Sequence, residues 1–383
     1  MKTKLYNSDL SWMPKVLQIV FISLFTLPVF SQDAVVHRVI FIGDAGEINF
    51  KQETIIPLAA DLVLADKTTV MFLGDNIYPR GMGLPGSTEE METAAVLRSQ
   101  FEPMRAKGAP VYFLPGNHDW DKSGKQGLAK IRAQGDFLAG QNDPLLRLIP
   151  ANGCPDPVEV PLSDETIIIA YDSEWWLFPY AKGNPNVDCD CNTEEEVIER
   201  MEELFYKNRD KTILMVSHHP FQTYGVHGGH YSIQDHLFPL TRLNKSLYIP
   251  LPIVGSIYPL LRTTVFRNPE DVPHPKYNDL KTKVSDVFED HSNLIYVAGH
   301  DHGLQFIKNA NQYQIVSGSG SKSSYIKSSK NLLYKNSMQG FVTVDMMNDR
   351  SMQITYYTYA NQGIKADFTY RIPYQEKFFT TTR

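Results

Sequence analysis

Short apolar runs that end in polar residues recur along the chain. One runs up to Gly43-Asp44, the next up to Gly74-Asp75, and others follow the same pattern further on. Runs of four to seven β-branched and aromatic residues bounded by Gly or Pro are typical of β-strands. The pattern predicts strands over residues 36–42, 69–73, 111–114, 166–171, 212–217 and 294–298.

Helical periodicity lies between these runs. It predicts helices over residues 54–67, 88–106 and 194–207, and the last begins after Thr193 with three glutamates, a capped and dipole-matched start. Beyond residue 310 only strands are predicted, over 313–317, 341–346, 352–358 and 368–372. Alternating strands and helices followed by a strand-rich end favour an α/β protein, a two-sheet sandwich in one domain.

The first thirty residues have a different character. An uncharged apolar run over residues 16–30 follows Lys2, Lys4 and Lys15 and ends in small residues around Ser31. This layout is typical of a secretory signal peptide and predicts cleavage near Ser31. We therefore expect a signal peptide over residues 1–32 and a secreted or periplasmic protein. The alternative is an uncleaved segment that anchors the chain in a membrane. The rest divides into a catalytic domain over 33–375 and a tail over 376–383.

Residues 241–290 are predicted to be an insertion. Within them, residues 247–266 are apolar but interrupted by Pro250, Pro252 and Pro259, which argues against a spanning helix. A lid, a dimer surface, a peripheral membrane contact and a plain packed loop remain open for this segment. The sequence leaves the oligomeric state undetermined.

The charge balance limits the classes of partner. The chain has 43 acidic and 37 basic residues, a formal net charge of −6. Such an acidic protein is a poor candidate for binding nucleic acid by charge alone. Any phosphate site must therefore create its own positive field, and metal ions are the obvious means.

Three cysteines, Cys154, Cys189 and Cys191, lie in one segment. A disulfide from Cys154 to one of the other two would suit an oxidising compartment and leave one thiol. A zinc site is the rival interpretation, and it is weaker because no His lies nearby.

Polar clusters follow five of the predicted strands. They are Asp44, Asp75, Asn117-His118, His218-His219 and His300 with His302. The carboxyl ends of strands in an α/β sheet are where ligands bind, so loops can bring these clusters together. Each cluster alone has an ordinary explanation as a polar turn. Together, their oxygen and imidazole donors predict a site for iron, zinc, manganese or a similar ion.

The order of these motifs carries a family resemblance. GDAGE (43–47), GDNIY (74–78), GNHD (116–119), HHP (218–220) and GHDH (299–302) resemble the calcineurin-like metallophosphoesterase superfamily. Most of its members begin with Asp-x-His, whereas Gly46 stands in the place of that His here. Within the superfamily the chain is similar to the small, tartrate-resistant type of purple acid phosphatase, which has a Tyr at the position of Tyr78. This resemblance implies a four-layer α/β/β/α sandwich with one catalytic domain.

The resemblance also implies a ligand set for two metal ions. The first ion would be bound by Asp44, Asp75, Tyr78 and His302, and the second by Asp75, Asn117, His218 and His300. Asp75 would bridge the two, as one carboxylate can. A phenolate at Tyr78 favours Fe(III) in the first site, whereas Fe(II), Zn or Mn would suit the second. His218 aligns with the ligand of the HHP motif and His219 with a variable position.

His118 and His227 are the candidate catalytic residues implied by the resemblance. They would stabilise charge on the transferred phosphoryl group or protonate the leaving oxygen, with Asp119 fixing the tautomer of His118. We therefore expect an acid phosphatase that acts on small phosphomonoesters by direct attack of water activated by the two ions. Alternatives are a phosphodiesterase or nucleotide diphosphatase with the same metals, and a membrane-associated binding protein on the same fold. Segments 80–95, 172–191 and 241–280 are expected to line the rim of the site.

Overall fold

The computed structural model describes residues 34–182, 189–242, 246–251, 255–257, 262, 268–310 and 312–376. The predicted signal peptide and residues 377–383 of the predicted tail lie outside these ranges. Residues from Val35 onward form one compact unit. In the part of the chain described here, no helix is both long and apolar enough to cross a membrane.

The first sheet contains the earliest strands and the last three. Its strands are β1 (Val35–Ile42), β2 (Thr68–Phe72), β3 (Val111–Phe113), β4 (Leu146–Leu148), β12 (Gly340–Met347), β13 (Met352–Ala360) and β14 (Gly363–Ile372), in the order β14-β13-β12-β1-β2-β3-β4. The strands from β1 to β4 are parallel, whereas β12 pairs antiparallel with β1. The carboxyl ends of β1, β2 and β3 therefore meet at one edge.

The second sheet is built from the middle of the chain. Its strands are β5 (Val158–Pro161), β6 (Thr166–Ala170), β7 (Thr212–Val216), β8 (Leu294–Ala298), β9 (Leu304–Asn309), β10 (Gln312–Ser317) and β11 (Leu332–Asn336), in the order β11-β9-β10-β8-β7-β6-β5. Strands β6, β7, β8 and β10 are parallel to one another. This arrangement places the ends of β7 and β8 side by side.

Alternate side chains of the central strands lie in two different cores. In β1, Val39 and Phe41 belong to the core between the sheets, whereas Ile40 and Ile42 pack against the helices. In β7, Leu214 likewise belongs to the core between the sheets, whereas Ile213 packs against the helices. Strands that are covered on both faces are expected to be apolar throughout, because successive side chains point to opposite faces. This explains the continuous apolar runs of the sequence.

Helices cover the outer faces and complete the α/β/β/α sandwich predicted from the sequence. The helices of the described residues are α1 (Gln52–Ala60), α2 (Glu90–Ala106), α3 (Gly127–Ala139), α4 (Ser173–Leu177), α5 (Glu194–Lys207), α6 (Ile233–Leu237) and α7 (Pro275–Phe288), of which α6 buries none of its residues. α1 packs on α2, and α5 packs on α7. Thr193 caps α5 by accepting the N–H of Glu196, whose side chain in turn accepts the N–H of Thr193, as a capping box does.

The predicted elements are largely present, and the exceptions have local causes. All six early strands occur with ends within one residue of the prediction. The helix predicted over 54–67 ends at Ala60, because Pro57 removes one hydrogen bond and the N–H of Leu64 instead donates to Thr68 Oγ1 at 2.8 Å. The strands β4, β5, β9 and β11 and the helices α3, α4, α6 and α7 were not predicted.

The structure also bears on the predicted insertion and on the predicted disulfide. Helix α7 lies inside the predicted insertion, yet Tyr277, Leu280 and Val284 are buried in the main core. The insertion as a whole remains a prediction. The disulfide joins Cys154 to Cys189 and leaves Cys191 as a buried free thiol, which matches the predicted bridge from Cys154 with one thiol left over.

Candidate metal centre

Three of the predicted ligands stand directly after a glycine at the end of a strand. Asp44 follows β1, Asp75 follows β2 and His300 follows β8, with φ angles of 58°, 53° and 67°. A left-handed backbone is uncommon outside glycine, although Asp and His adopt it more readily than most residues, and such residues are concentrated at functional sites. Gly74 is required next to Asp75, since a Cβ there would lie 2.5 Å from Nδ1 of His218.

Four oxygen and nitrogen atoms converge in a first donor set. The hydroxyl of Tyr78 lies 3.0 Å from Asp44 Oδ1, 2.9 Å from Asp75 Oδ2 and 3.2 Å from His302 Nε2. His302 Nε2 also lies 3.5 Å from Asp44 Oδ1. A single phenolic proton cannot serve three acceptors. These separations instead match those between neighbouring ligands of one cation whose bonds are about 2.1 Å long.

A second donor set lies on the other side of Asp75. His218 Nε2 is 3.4 Å from Asp75 Oδ1, 3.2 Å from Asn117 Oδ1 and 3.2 Å from His300 Nδ1. Asp75 thus presents Oδ2 to the first set and Oδ1 to the second. All seven residues that the sequence nominated as ligands are brought together here, around one shared carboxylate.

Hydrogen bonds to main-chain carbonyls determine which imidazole nitrogens face the second set. Nδ1 of His218 lies 2.7 Å from the carbonyl of Leu73, and Nε2 of His300 lies 2.8 Å from that of Glu270. A carbonyl only accepts, so these nitrogens carry the protons and the other two nitrogens present lone pairs. Two lone pairs 3.2 Å apart repel each other unless a cation lies between them.

The ionisation of the site also fits metal ions. Burial lowers the pKa of His218 to about 4 and that of His302 to about 3, so both imidazoles are neutral ligands near neutral pH. Burial and the charge of Asp75 raise the pKa of Asp44 well above its usual value. Burial and the two carboxylates do the same to Tyr78. A buried cluster of this kind is unfavourable by itself, and cations would offset its charge.

His219 differs from its neighbour His218 in its partners. Its Nδ1 lies 2.8 Å from Ser173 Oγ and its Nε2 lies 2.9 Å from Glu270 Oε2, so both nitrogens are engaged behind the donor sets. Both histidines lie beyond the end of β7, and their hydrogen-bond partners hold the two rings in different directions. Of the two, His218 is the one that faces Asp75.

His118 lies next to the first donor set. Its ring packs on that of Tyr78, with the ring centres 4.5 Å apart, and its Nδ1 donates to the carbonyl of Pro79 at 2.7 Å. The expectation that Asp119 fixes this tautomer is wrong. The buried carboxylate of Asp119 instead accepts the main-chain N–H groups of Asn76, Ile77 and Gly116, because those loop donors need a partner.

His227 approaches from the opposite side. Its ring centre lies 3.9 Å from that of His300, and its Nδ1 lies 3.0 Å from Asp271 Oδ1. Burial by itself would lower the pKa of His227, but the hydrogen bond to Asp271 and the charges of Asp301 and Asp271 outweigh burial and raise it. Arg262 holds the same carboxylate through two hydrogen bonds of 2.8 Å.

Glu270 and Asp271 were not identified from the sequence. They follow Asn268-Pro269 inside the predicted insertion, with no strand before them. Glu270 positions His219 and His300, and Asp271 positions His227. A Pro followed by two acidic residues is an ordinary loop signal, so no sequence pattern distinguished them.

An open cleft of about 960 Å³ gives access to the centre. Its lining includes Asn117, His118, Lys122, Ser123, Leu177, Pro179, Val226, His227, Ile257, Arg262, Asn268, Pro269, Glu270, Asp301, His302 and Ser324. The predicted rim segments 172–191 and 241–280 both contribute to it. Segment 80–95 contributes no lining residue among the residues that the structure describes.

Comparison with known proteins agrees with this geometry. A family profile for calcineurin-like phosphoesterases matches residues 37–304, which extend from β1 into β9. None of the curated proteins matches the sequence.

Three solved structures share the fold at low sequence identity. GAP50, the anchor in the inner membrane complex of Plasmodium, aligns with a TM-score of 0.54 and 15% identity over 90% of each chain. Purple acid phosphatase PPD1 from yellow lupin (Lupinus luteus) seeds aligns with a TM-score of 0.53 and 13% identity over 89% of this chain and 54% of the lupin chain. PhoD aligns with a TM-score of 0.53 and 11% identity over 89% of this chain and 70% of the PhoD chain.

Proposed function

The chain belongs to the calcineurin-like phosphoesterases, a family that depends on two metal ions, and we propose that it is an acid phosphatase acting on small phosphomonoesters. Hydrolysis of phosphoesters is the general activity of the family. The observation that carries the finer proposal is the pair of donor sets around Asp75, with the phenol of Tyr78 in the first. A phenolate is a hard donor suited to Fe(III), and the second set suits Fe(II), Zn or Mn.

Two metal ions in these sets would activate a water molecule and offset charge on the phosphate oxygens. Asp44, Asp75, Tyr78 and His302 would hold the first ion. Asn117, His218 and His300 would hold the second together with Asp75. The charge of the two ions would allow an acidic chain, with its formal net charge of −6, to bind an anionic substrate.

Two histidines of the chain act on the substrate in this proposal. Asp271 holds Nδ1 of His227, and the carbonyl of Pro79 holds Nδ1 of His118, so each ring turns its Nε2 away from these partners. Water adds to phosphorus while the ester P–O bond breaks, and the departing oxygen takes a proton from one of these rings. The other ring donates a hydrogen bond to the charged phosphoryl oxygens.

The cleft suits an ester with an organic leaving group. Leu177, Pro179 and Val226 form part of its lining and offer apolar surface beside the polar centre. A site of this size and composition binds the body of a small molecule by apolar contact and orients it by a few polar groups. We therefore propose small phosphorylated molecules, rather than nucleic acid, as the substrates.

Tyr78→Phe tests the metal assignment directly. The purified parent protein should contain iron and show a broad visible absorption band from tyrosinate-bound Fe(III), and the variant should lose that band. Tyr325→Phe, at a tyrosine that is 42% exposed and outside both donor sets, should keep it. A colourless, iron-free and fully active parent protein would reduce the proposal to a two-metal phosphoesterase of another kind.

An activity panel tests the ester class. Phosphomonoesters, phosphodiesters and nucleoside diphosphates should be assayed at acid and neutral pH with the same metal-loaded protein. The proposal expects the highest kcat/KM for a monoester at acid pH. Preference for a diester, or for a diphosphate bond at neutral pH, would favour the alternatives instead.

We also propose that the protein is exported, as a secreted or periplasmic enzyme. The Cys154–Cys189 disulfide supports an oxidising compartment. Mass spectrometry of the N-terminus of the mature protein should find a start at Gln32 or Asp33, next to the predicted cleavage near Ser31. A start at Met1 or Met13 in the membrane fraction would favour the anchored alternative.

A membrane-associated binding role is a second candidate. Tyr248 and Ile249, in the segment expected to touch a membrane, are 59% and 49% exposed, and Ile257 is 45% exposed. The fold of GAP50, described as an anchor in a membrane complex, is similar. In this case Tyr248→Ser with Ile249→Ser should abolish flotation with lipid vesicles and leave hydrolysis of p-nitrophenyl phosphate unchanged. Absence of vesicle binding by the parent protein would reject this role.

A further inference from the structure

We propose that Lys322 tunes the first metal ion by holding its ammonium group over the ring of Tyr78. A positive charge at this position draws electron density from a phenolate and weakens it as a donor. The ion held by Tyr78 would then have a higher Fe(III)/Fe(II) potential and a charge-transfer band at shorter wavelength. The inference rests on the proposed function, since it takes Tyr78 to be a ligand of iron. Lys322 is a positioning residue that acts through Tyr78.

The ammonium group of Lys322 faces the first donor set. Its Nζ lies 4.5 Å from the centre of the Tyr78 ring, within the range of a cation–π contact. The hydroxyl of the same ring lies 2.9 Å from Asp75 Oδ2 and 3.0 Å from Asp44 Oδ1. The charge therefore lies beside the one ligand of the first set whose donor oxygen is conjugated with an aromatic ring.

The loop that carries Lys322 is bonded to the turn that carries Asp44. The N–H and the hydroxyl of Ser321 both donate to the carbonyl of Asp44, at 2.9 and 2.6 Å. The N–H of Gly320 donates to the carbonyl of Gly43 at 2.8 Å, and a Cβ on Gly320 would lie 2.7 Å from that carbonyl oxygen. The backbone next to Lys322 is therefore fixed relative to a proposed ligand of the first ion.

Glu47 holds the ammonium group of Lys322 beside Tyr78. The carboxylate and the ammonium group form an ion pair. Glu47 follows Gly46, whose carbonyl accepts the N–H of Tyr78 at 2.9 Å. Residues 43–47 are thus bonded to the backbone of Tyr78 and ion-paired with Lys322. Because the ring and the ammonium group are tied to the same loop, they keep their position relative to each other.

The direction and the size of the effect follow from the position of the charge. Excitation of the band moves an electron from the ring to the ion, away from the ammonium group, so the charge raises the energy of the band. The charge also favours Fe(II) over Fe(III). The side chains of Lys322 and Glu47 are 27% and 49% exposed, so water and the counter-charge limit the effect to a factor of about five in an equilibrium. For one electron this factor equals about 40 mV, at about 59 mV per tenfold.

The test uses protein that is stripped of metal and reloaded with Fe(III) and then Zn(II), so that only one ion is redox-active. In Lys322→Met, which removes the charge from a side chain of similar length, the visible band should move to longer wavelength. At the midpoint potential of the parent protein, the ratio of Fe(III) to Fe(II) should be about fivefold higher in the variant, as measured by spectroelectrochemical titration. Lys322→Arg keeps the charge and can stack on the ring, so it should stay close to the parent in both measurements.

Lys51 provides the matched control. Its Nζ lies 5.6 Å from the centre of the ring of Tyr359, which belongs to neither donor set, so Lys51→Met should change neither the band nor the potential. A folded Lys322→Met protein that binds iron and matches the parent in both measurements would overturn the proposal. Equal shifts in Lys51→Met would also overturn it, since they would reflect the net charge of the chain. Lys322→Gln serves the same purpose if Lys322→Met does not fold.

Reloading with iron separates this proposal from the proposed function. If the protein as purified contains no iron, or the reloaded protein does not hydrolyse phosphomonoesters, the proposed function fails. A band that forms on reloading, is lost in Tyr78→Phe and moves in Lys322→Met would still keep the Lys322 assignment. If no band forms on reloading, Tyr78 is not a ligand of iron and both proposals are overturned.

Discussion

Replacement of Asp75 by Asn is the most direct perturbation of the metal centre. Oδ1 of Asp75 accepts the N–H of His118 at 2.9 Å and faces His218, while Oδ2 lies 2.9 Å from the hydroxyl of Tyr78. An amide has the same shape, but it carries no charge and only one of its two end atoms is an acceptor. One donor set must therefore lose an oxygen, and both must lose a negative charge.

The size of the effect follows from the burial of this carboxylate, which is 1% exposed. Two unit charges about 4 Å apart interact by about 4 kcal/mol at an effective dielectric constant of about 20. At 1.36 kcal/mol per tenfold, this corresponds to a loss of about a thousandfold in affinity for a singly charged cation, and more for a divalent one. Relief of the repulsion between Asp75 and Asp44 offsets part of that loss. We expect at most one tightly bound ion in Asp75→Asn.

The assay combines elemental analysis with kinetics. Parent protein and variant are dialysed against the same buffered metal solution, and metal content per chain is measured together with kcat/KM for p-nitrophenyl phosphate. The parent should retain two ions, and the variant should retain one or none and lose at least a thousandfold in kcat/KM. Asp121→Asn is the matched control, because Asp121 is 6% exposed and close to the site but belongs to neither donor set.

The outcome that would refute this reasoning is clear. If folded Asp75→Asn, judged by circular dichroism and thermal unfolding, kept two ions and the activity of the parent, Asp75 would not be a shared ligand. If Asp121→Asn lost metal to the same extent, the loss would reflect damage to the loops and not to coordination.

Three further predictions concern the proton donor, the response to pH and the disulfide. His227→Ala should lower kcat about a hundredfold for an alkyl phosphate and much less for p-nitrophenyl phosphate, because the leaving group of the latter needs no proton. The metal content should stay unchanged. Equal losses of kcat for the two substrates would contradict a role of His227 as the acid. Burial lowers the pKa of His37 to about 4 in the folded state, so its contribution to stability is complete above pH 6.5 and is lost as the pH falls to about 4. The melting temperature of His37→Gln should therefore fall less across that pH range than the melting temperature of the parent protein. If the two melting temperatures fell in parallel, the assignment to His37 would be rejected. Cys154→Ser breaks the bridge to Cys189, 35 residues away in sequence, and should lower the free energy of unfolding by about 3–4 kcal/mol. Cys191→Ser, at the free thiol, should change this free energy by much less. Equal effects of the two substitutions in chemical denaturation would contradict the pairing.

Local chemistry determined the strands and the position of the polar clusters at their ends. Strand segments covered on both faces are expected to be apolar on both faces, so residues 39–42 of β1, 70–72 of β2 and 213–216 of β7 stand out in the sequence as continuous apolar runs. Three ligands stand directly after a glycine at the end of a strand, and this order is visible in the sequence. The strand runs and the polar residues after them could be predicted from the sequence, whereas the contact that requires Gly74, with His218, and the left-handed φ angles of the ligands emerge only in the structure.

Distant parts of the chain determined what the sequence did not reveal. Whether Cys154 pairs with Cys189 or Cys191 depends on loop positions that the spacing leaves open. The tautomer of His118 is held by the carbonyl of Pro79, a main-chain atom with no signature in the residue type. Asp119 was a plausible partner by sequence, but it is turned toward buried N–H groups that cannot be left without an acceptor.

The sequence by itself determined which residue types are present for two metal ions and in what order they follow the strands. Only the tertiary structure decided that Asp75 faces both donor sets and that His218, and not His219, faces Asp75. It also placed Asp271 against His227 and Lys322 over the ring of Tyr78. The physical reason is that strand periodicity depends on neighbours in the chain, whereas the direction of a loop side chain depends on hydrogen bonds from residues far away in sequence.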